Sequence, residues 1–148
     1  MLVLLDSGPL GLLVHTSRGA PLEEWVDGLR AAGHDVGIPA IVYYELRREL
    51  LRTRIAVSVN RLDRSIRQLM FADVSLAVLR RASELWALSR QQGLPTAPDA
   101  ALDVDVILAA TALELVDAGH EVVVATSNVS HLSRFVNARE WMAIQPGD

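Results

Sequence analysis

The chain begins Met1-Leu2-Val3-Leu4-Leu5 and runs straight into Asp6-Ser7-Gly8-Pro9-Leu10. An apolar run without alternation has no face to give to water, so it reads as a strand buried on both sides of a sheet. Asp6 falls at the carboxyl end of that strand, and Gly8 marks a turn. Pro9 suits the first turn of a helix, where a missing N–H costs nothing. In open parallel sheets, ligand sites form outside the carboxyl ends of the strands. Asp6 therefore has two readings, a site residue or the N-cap of the next helix. Where the other acids fall weighs between them.

Leu22, Trp25, Val26 and Leu29 follow the i, i+3, i+4, i+7 pattern, which predicts an amphipathic helix over 21–32. Gly33 ends it, and Val36 to Ile38 is a short strand candidate. Strand, helix and strand in this order favour a parallel sheet. A long helix is expected from Pro39 or Ala40 to Thr53, apolar in its first half and charged in its second, with Glu45 at the junction. A helix over 57–70 places Leu62, Ile66 and Leu69 inward. Phe71 to Val74 reads as a short strand, 75–92 as a helix burying Leu79, Ala82 and Trp86, and 94–99 as a loop. Asp103 and Asp105 open a helix that is apolar nearly all round, hence buried in the middle of the fold. Glu121 to Thr126 is a β-branched strand with Ser127-Asn128 at its end. The tail carries a short helix near Ser130 to Phe135 and an edge strand candidate at Trp141 to Ile144. No repeat or linker divides the chain, so 148 residues are expected to form one domain.

Composition removes several chemistries. There is no cysteine, which excludes disulfides, thiolate metal sites and thiol nucleophiles. All 14 cationic side chains are arginine, so a Walker-type phosphate loop and a lysine Schiff base are excluded as well. The net charge of −4 gives no global attraction to nucleic acid, so any such binding needs a local patch. No apolar run reaches the length of a membrane span, and no basic segment precedes the first apolar run. A cytoplasmic location without membrane contact is the expectation.

The polar groups at the ends of buried elements can converge on one sheet edge: Asp6, Glu45, Asp103 or Asp105, and Asn128. Packed carboxylates repel one another, and a divalent cation relieves that repulsion. Oxygen ligands without histidine or cysteine favour Mg²⁺ or Mn²⁺ over zinc. Such an ion can activate water and stabilise charge on a phosphodiester. Each acid also has a plainer role: Asp103 or Asp105 as a helix cap, Glu45 as a solvated charge, Asn128 as a turn residue. Acids at i and i+2 point in different directions, so only one of Asp103 and Asp105 can face the site squarely.

In sequence order, Leu4-Leu5-Asp6-Ser7, Tyr44-Glu45-Leu46, Asp105-Val106-Ile107-Leu108-Ala109-Ala110-Thr111-Ala112-Leu113 and Thr126-Ser127-Asn128 together resemble the motifs of the PIN domain, the nuclease fold of VapC-type toxins. The resemblance spans nearly the whole chain. It implies a three-layer α/β/α sandwich with a mostly parallel sheet and one or two Mg²⁺ or Mn²⁺ ions. It implies Asp6, Glu45 and Asp105 as catalytic metal ligands, with Asp105 rather than Asp103 in register. Asn128 takes the place of a fourth acid, with Ser7 and Thr126 in support. An endoribonuclease activity, an antitoxin partner and a homodimer are further implications. The uncharged Asn128 departs from the all-acid pattern and weakens a second metal site.

Residues 45–67 hold seven arginines against Glu45, Glu49 and Asp63. This segment is the expected RNA handle, with Arg47, Arg48 and Arg52 nearest Glu45. The histidines at 15, 34, 120 and 131 have no metal-ligand spacing and read as surface or packing residues. Two other functions compete with the nuclease. One is a catalytically weak RNA-binding or protein-interaction module. The other is a phosphoryl-accepting receiver or phosphatase, whose families carry a pocket lysine that this chain lacks.

Overall fold

In a computed structural model, residues 1–93 and 99–148 are described. The strands are β1 (Leu2–Leu5), β2 (Asp35–Pro39), β3 (Met70–Ala72), β4 (Val122–Thr126) and β5 (Ala138–Glu140). The helices are α1 (Ser7–Leu13), α2 (Ala20–Ala31), α3 (Ala40–Arg52), α4 (Ala56–Gln68), α5 (Leu76–Gln91), α6 (Asp99–Asp117) and α7 (Val129–Leu132). The strands pair in the order β3-β2-β1-β4-β5, all parallel. The expected α/β sandwich is therefore observed, with β1 at the centre of the sheet.

Central placement explains the uninterrupted apolar run. Val3, Leu4 and Leu5 are fully buried, so both faces of β1 are covered. Burying each leucine side chain contributes roughly 1.5–3 kcal/mol. Gly37 in β2 lies in a tight place, since a Cβ there would meet Leu4 Cδ2 at 3.1 Å and Met70 Sδ at 3.2 Å and those side chains would have to give. The apolar circumference of α6 has the same kind of cause. Leu108 and Ala112 join the core that contains the sheet, while Leu102, Val106 and Ala110 pack with Val78 and Ala82 of α5. The helix is enclosed from two sides.

Three local expectations are corrected. The edge strand is Ala138–Glu140, and Trp141–Ala143 is a 3-10 turn. Trp25 Nε1 donates to Ile144 O at 2.8 Å and packs edge-on against Trp141, which curls the tail onto α2 instead of extending it. Leu79 is 48% exposed, because α5 presents Val78, Ala82 and Ser89 to its neighbours, a face rotated by one residue from the expected one. Finally, α6 begins at Asp99, so neither Asp103 nor Asp105 opens it. Most of the expected 94–99 loop, residues 94–98, lies outside the described residues. Among the described residues no helix is long and apolar enough to cross a membrane.

Candidate active site

The chain runs from β1 to β2 on one side and from β4 to β5 on the other, so the strand order reverses between β1 and β4. A crevice forms at such a reversal, outside the carboxyl ends of the two strands. Asp6 follows the last residue of β1 and Thr126 is the last residue of β4. The Asp6 N–H still donates to Ala125 O at 2.9 Å, which carries strand pairing to the crevice edge.

The Asp6 carboxylate is held on both oxygens. Oδ1 accepts from the Ser7 N–H at 2.6 Å, and Oδ2 accepts from the Thr126 hydroxyl at 2.6 Å. Thr126 Oγ1 in turn accepts from the Asn128 N–H at 2.9 Å. Asp6 is thus the N-cap of α1 and also a member of the crevice, so its two sequence readings coexist in one residue. A carboxylate oxygen that accepts one hydrogen bond keeps a second lone pair. Gly8 allows the first turn of α1 to lie against the β4–α7 turn, because a Cβ there would stand 2.4 Å from Ser127 Oγ.

Glu45, in the second turn of α3, is half-buried beside this pair. Burial, then the charge of Asp6, push its carboxyl above the ordinary range, and Asp105 adds to the effect. Arg48 and the Ser7 side chain pull it back. Asp105, on α6, is raised for the same reasons, burial first and Asp6 second, with His131 and Arg134 opposing. Both residues feel Asp6, so α3, α6 and the end of β1 bring their acids to one place.

Asp103 is exposed and lines an apolar groove with Leu79, Ala82 and Trp86 of α5. The two-residue offset from Asp105 turns it to another side of the helix, as helical spacing requires. Asn128 is exposed, and its side chain makes no hydrogen bond among the described residues. His131, read from the sequence as a surface or packing residue, stands with Nδ1 3.8 Å from Asp105 Oδ2. Sequence spacing offered no signal for it, because only the packing of α7 against α6 brings the two together.

The arginines of α3 and α4 divide by role. Arg47 bonds Asp63 through Nε at 3.1 Å and Nη2 at 3.3 Å, and Tyr43 Oη donates to the same carboxylate at 2.8 Å. Arg52 pairs with Glu49 on its own helix. Arg61 donates to His15 O at 2.8 Å, and with Arg30 and Arg64 it borders a groove of about 280 Å³ between α2 and α4 whose acids are Glu23 and Asp27, not Asp6, Glu45 or Asp105. Arg48 lies over the exposed Tyr44 ring at 5.2 Å and has no ion-pair partner among the described residues. Of the three arginines expected to meet RNA, it alone makes no ion pair among the described residues, and its charge reaches Glu45.

Among the described residues, no three acidic or histidine groups are gathered tightly enough to grip one ion as they stand. The donor set itself fits a hard divalent cation. It consists of half-buried carboxylate oxygens whose mutual repulsion a positive ion would relieve.

This chain is similar in fold to VapBC2 of Rickettsia felis bound to a DNA fragment from its promoter, with a TM-score of 0.69 over 95% of this chain and 99% of that one, at 19% identity. The fold is that of a VapC-like PIN domain. The same PIN fold appears in VapBC from Salmonella typhimurium bound to DNA, with a TM-score of 0.65, 17% identity and 95% and 99% coverage of this chain and that one. FitAcB from Neisseria gonorrhoeae gives a TM-score of 0.61 at 18% identity, covering 96% and 99%. No protein-family model and no curated protein sequence matches the chain.

Proposed function

We propose that this PIN-fold chain is a metal-dependent endoribonuclease that hydrolyses RNA phosphodiesters and acts as the toxin of a toxin–antitoxin pair. The observation that supports the reading is that Asp6 ends β1 at the reversal of strand order and its charge reaches both Glu45 of α3 and Asp105 of α6, which burial also holds above the ordinary carboxyl range. Asp6, Glu45 and Asp105 would hold Mg²⁺ or Mn²⁺, with the uncharged Asn128 at the rim. When bound, the ion supplies water activation and charge stabilisation for phosphodiester hydrolysis.

The chain's own residues supply position and charge. The Ser7 N–H and the Thr126 hydroxyl each bond one oxygen of Asp6, which pre-orders that carboxylate. Arg48 can meet a backbone phosphate beside Glu45, and the exposed Tyr44 ring offers a surface for an unstacked base. The antitoxin proposal draws support from the similar structures, which are VapBC and FitAcB assemblies. Homodimerisation and a cytoplasmic location complete the reading.

The test is cleavage of a mixed labelled RNA pool in Mn²⁺, in Mg²⁺ and in EDTA, beside Asp6→Asn. Metal-dependent cleavage that the variant loses supports the proposal; cleavage indifferent to EDTA and to Asp6 refutes it. The exposed, uncharged Asn128 favours one alternative, a weak RNA-binding module. That alternative predicts salt-sensitive binding without cleavage.

A further inference from the structure

The acids of the crevice have a cation on either flank, and the two flanks are built alike. β2 and β4 lie on opposite sides of β1 in the sheet. α3 leaves the carboxyl end of β2, and α7 follows β4 after the turn at Ser127-Asn128. Asp6, at the end of β1, therefore has α3 on one side and α7 on the other. On α3 the Arg48 guanidinium lies 5.2 Å from the centre of the Tyr44 ring. In the turn after α7 the Arg134 guanidinium lies 4.7 Å from the centre of the Phe135 ring. Both distances fall within the roughly 6 Å over which a ring face attracts a cation. Both arginines are exposed, and neither makes an ion pair among the described residues. Phe135 packs against the cluster that holds Val106 and Ala110 of α6, and Leu132 is buried in the core, so the α7 side is anchored to the helix that bears Asp105. The charges divide in the same way. Arg48 acts on Glu45, Arg134 acts on Asp105, and Asp6 acts on both acids.

We infer that Arg134, stacked on Phe135, is a second phosphate-binding residue, so that a single RNA strand is held on both sides of the acids, by Arg48 on the α3 side and by Arg134 on the α7 side. A chain of net charge −4 gives a polyanion no general attraction, and the acids of the crevice repel it. A strand that crosses them needs a cation before and after. With Arg48 alone, it would be held at one end and pushed away over the acids. A guanidinium is suited to this task, because its planar fork matches a phosphate with two parallel hydrogen bonds. The ring beneath each guanidinium restricts its plane before the strand arrives. Unstacked bases pack on aromatic rings and on guanidinium planes, which favours a single strand over a duplex.

This assignment rests on the RNA reading above, and its test needs no metal. Binding of a labelled oligouridylate to the intact protein is followed by fluorescence anisotropy in EDTA at several salt concentrations. The comparison covers Arg134→Ala, Arg134→Lys, the double variant Arg48→Ala/Arg134→Ala and a remote control, Arg30→Ala, with thermal melting to check that each is folded. Arg134→Ala is expected to weaken binding and to reduce the log–log salt slope by roughly 0.7–1, the loss of one phosphate contact. The double variant should lose roughly twice that, because the two contacts lie on opposite flanks and act independently. Arg134→Lys keeps the charge and should keep the slope. An unchanged slope in a folded Arg134→Ala, a loss that lysine does not restore, or an equal loss in Arg30→Ala overturns the assignment to Arg134 and leaves the RNA reading standing. A wild-type protein with no salt-dependent binding also overturns the assignment. If that protein cleaves no RNA in Mn²⁺ either, the RNA reading falls with it.

Discussion

Thr126 Oγ1 donates to Asp6 Oδ2 at 2.6 Å across 120 residues of sequence, so the last residue of β4 orients the acid that ends the run of β1. The bond exists because β1 and β4 pair in register, Leu5 beside Ala125, which puts the next residue of each strand side by side. Thr126 is fully buried and Asp6 half-buried, so the hydroxyl has little else to bond.

Thr126→Val removes this donor at nearly constant volume and leaves Oδ2 dependent on water. The expected cost is about 1–3 kcal/mol of stability, from leaving a polar group less well satisfied. Under the proposed metal-dependent cleavage, in which Asp6 would hold the ion, the rate is expected to fall roughly 10- to 100-fold. Thr126→Ser should stay near wild type. Urea unfolding and initial cleavage rates measure both effects, and equal behaviour of Val and Ser would remove the hydroxyl from the account.

Neutralising a crowded carboxylate should stabilise the metal-free protein. Glu45 and Asp105 have folded pKa values raised by burial and by Asp6, so their ionised forms cost stability near neutral pH. Glu45→Gln or Asp105→Asn in EDTA is expected to gain stability at pH 7, modestly because water screens these partly exposed groups. The sign follows from linkage: a raised carboxyl is penalised above its folded pKa, and the penalty fades as pH falls toward the unfolded pKa. The gain should therefore shrink in acid. A destabilised variant at pH 7 would contradict the crowding argument.

The Asp63 carboxyl behaves in the opposite sense. The Arg47 hydrogen bonds hold it below the ordinary range despite partial burial, with Tyr43 assisting. A depressed acid contributes stability above its unfolded pKa and loses it as pH falls through the folded pKa. Asp63→Asn should lower Tm at pH 7, and its deficit should close in acid, where wild-type Asp63 is protonated too. Both side chains are about one-third exposed, so water screens the pair and the effect is modest. Melting curves across pH test this, and a deficit that persists in acid would assign the effect to packing.

At the rim, Arg48→Ala should weaken RNA binding and reduce the log–log salt slope by about 1, the signature of one phosphate contact. Tyr44→Ala should cost roughly 1–3 kcal/mol of binding, as stacked aromatics do, with the salt slope unchanged. Arg52→Ala, whose guanidinium is paired with Glu49, is expected to change binding little. Fluorescence anisotropy with single-stranded RNA at several salt concentrations separates these outcomes. Equal effects of Arg48 and Arg52 would indicate a diffuse charged surface.

The sequence alone determined the layered α/β architecture, the central buried strand and the places where Asp6 and Glu45 sit on their elements. Those features are local: an unbroken apolar run, a 3.6-residue period and a β-branched stretch each carry their own physical cause. Only the tertiary structure decided the rest. The strand order placed Thr126 on Asp6, and the rotation of α6 turned Asp105 toward the crevice and Asp103 toward α5. Packing of α7 brought His131 to Asp105, while Asp63 and Glu49 occupied Arg47 and Arg52 and left Arg48 free of an ion pair among the described residues. Apart from the local Glu49–Arg52 pair on α3, each of these depends on a side-chain pair far apart in the chain or on the phase of a helix to within one residue. Neither leaves a trace in composition or periodicity, because long-range pairing is set by how whole elements pack.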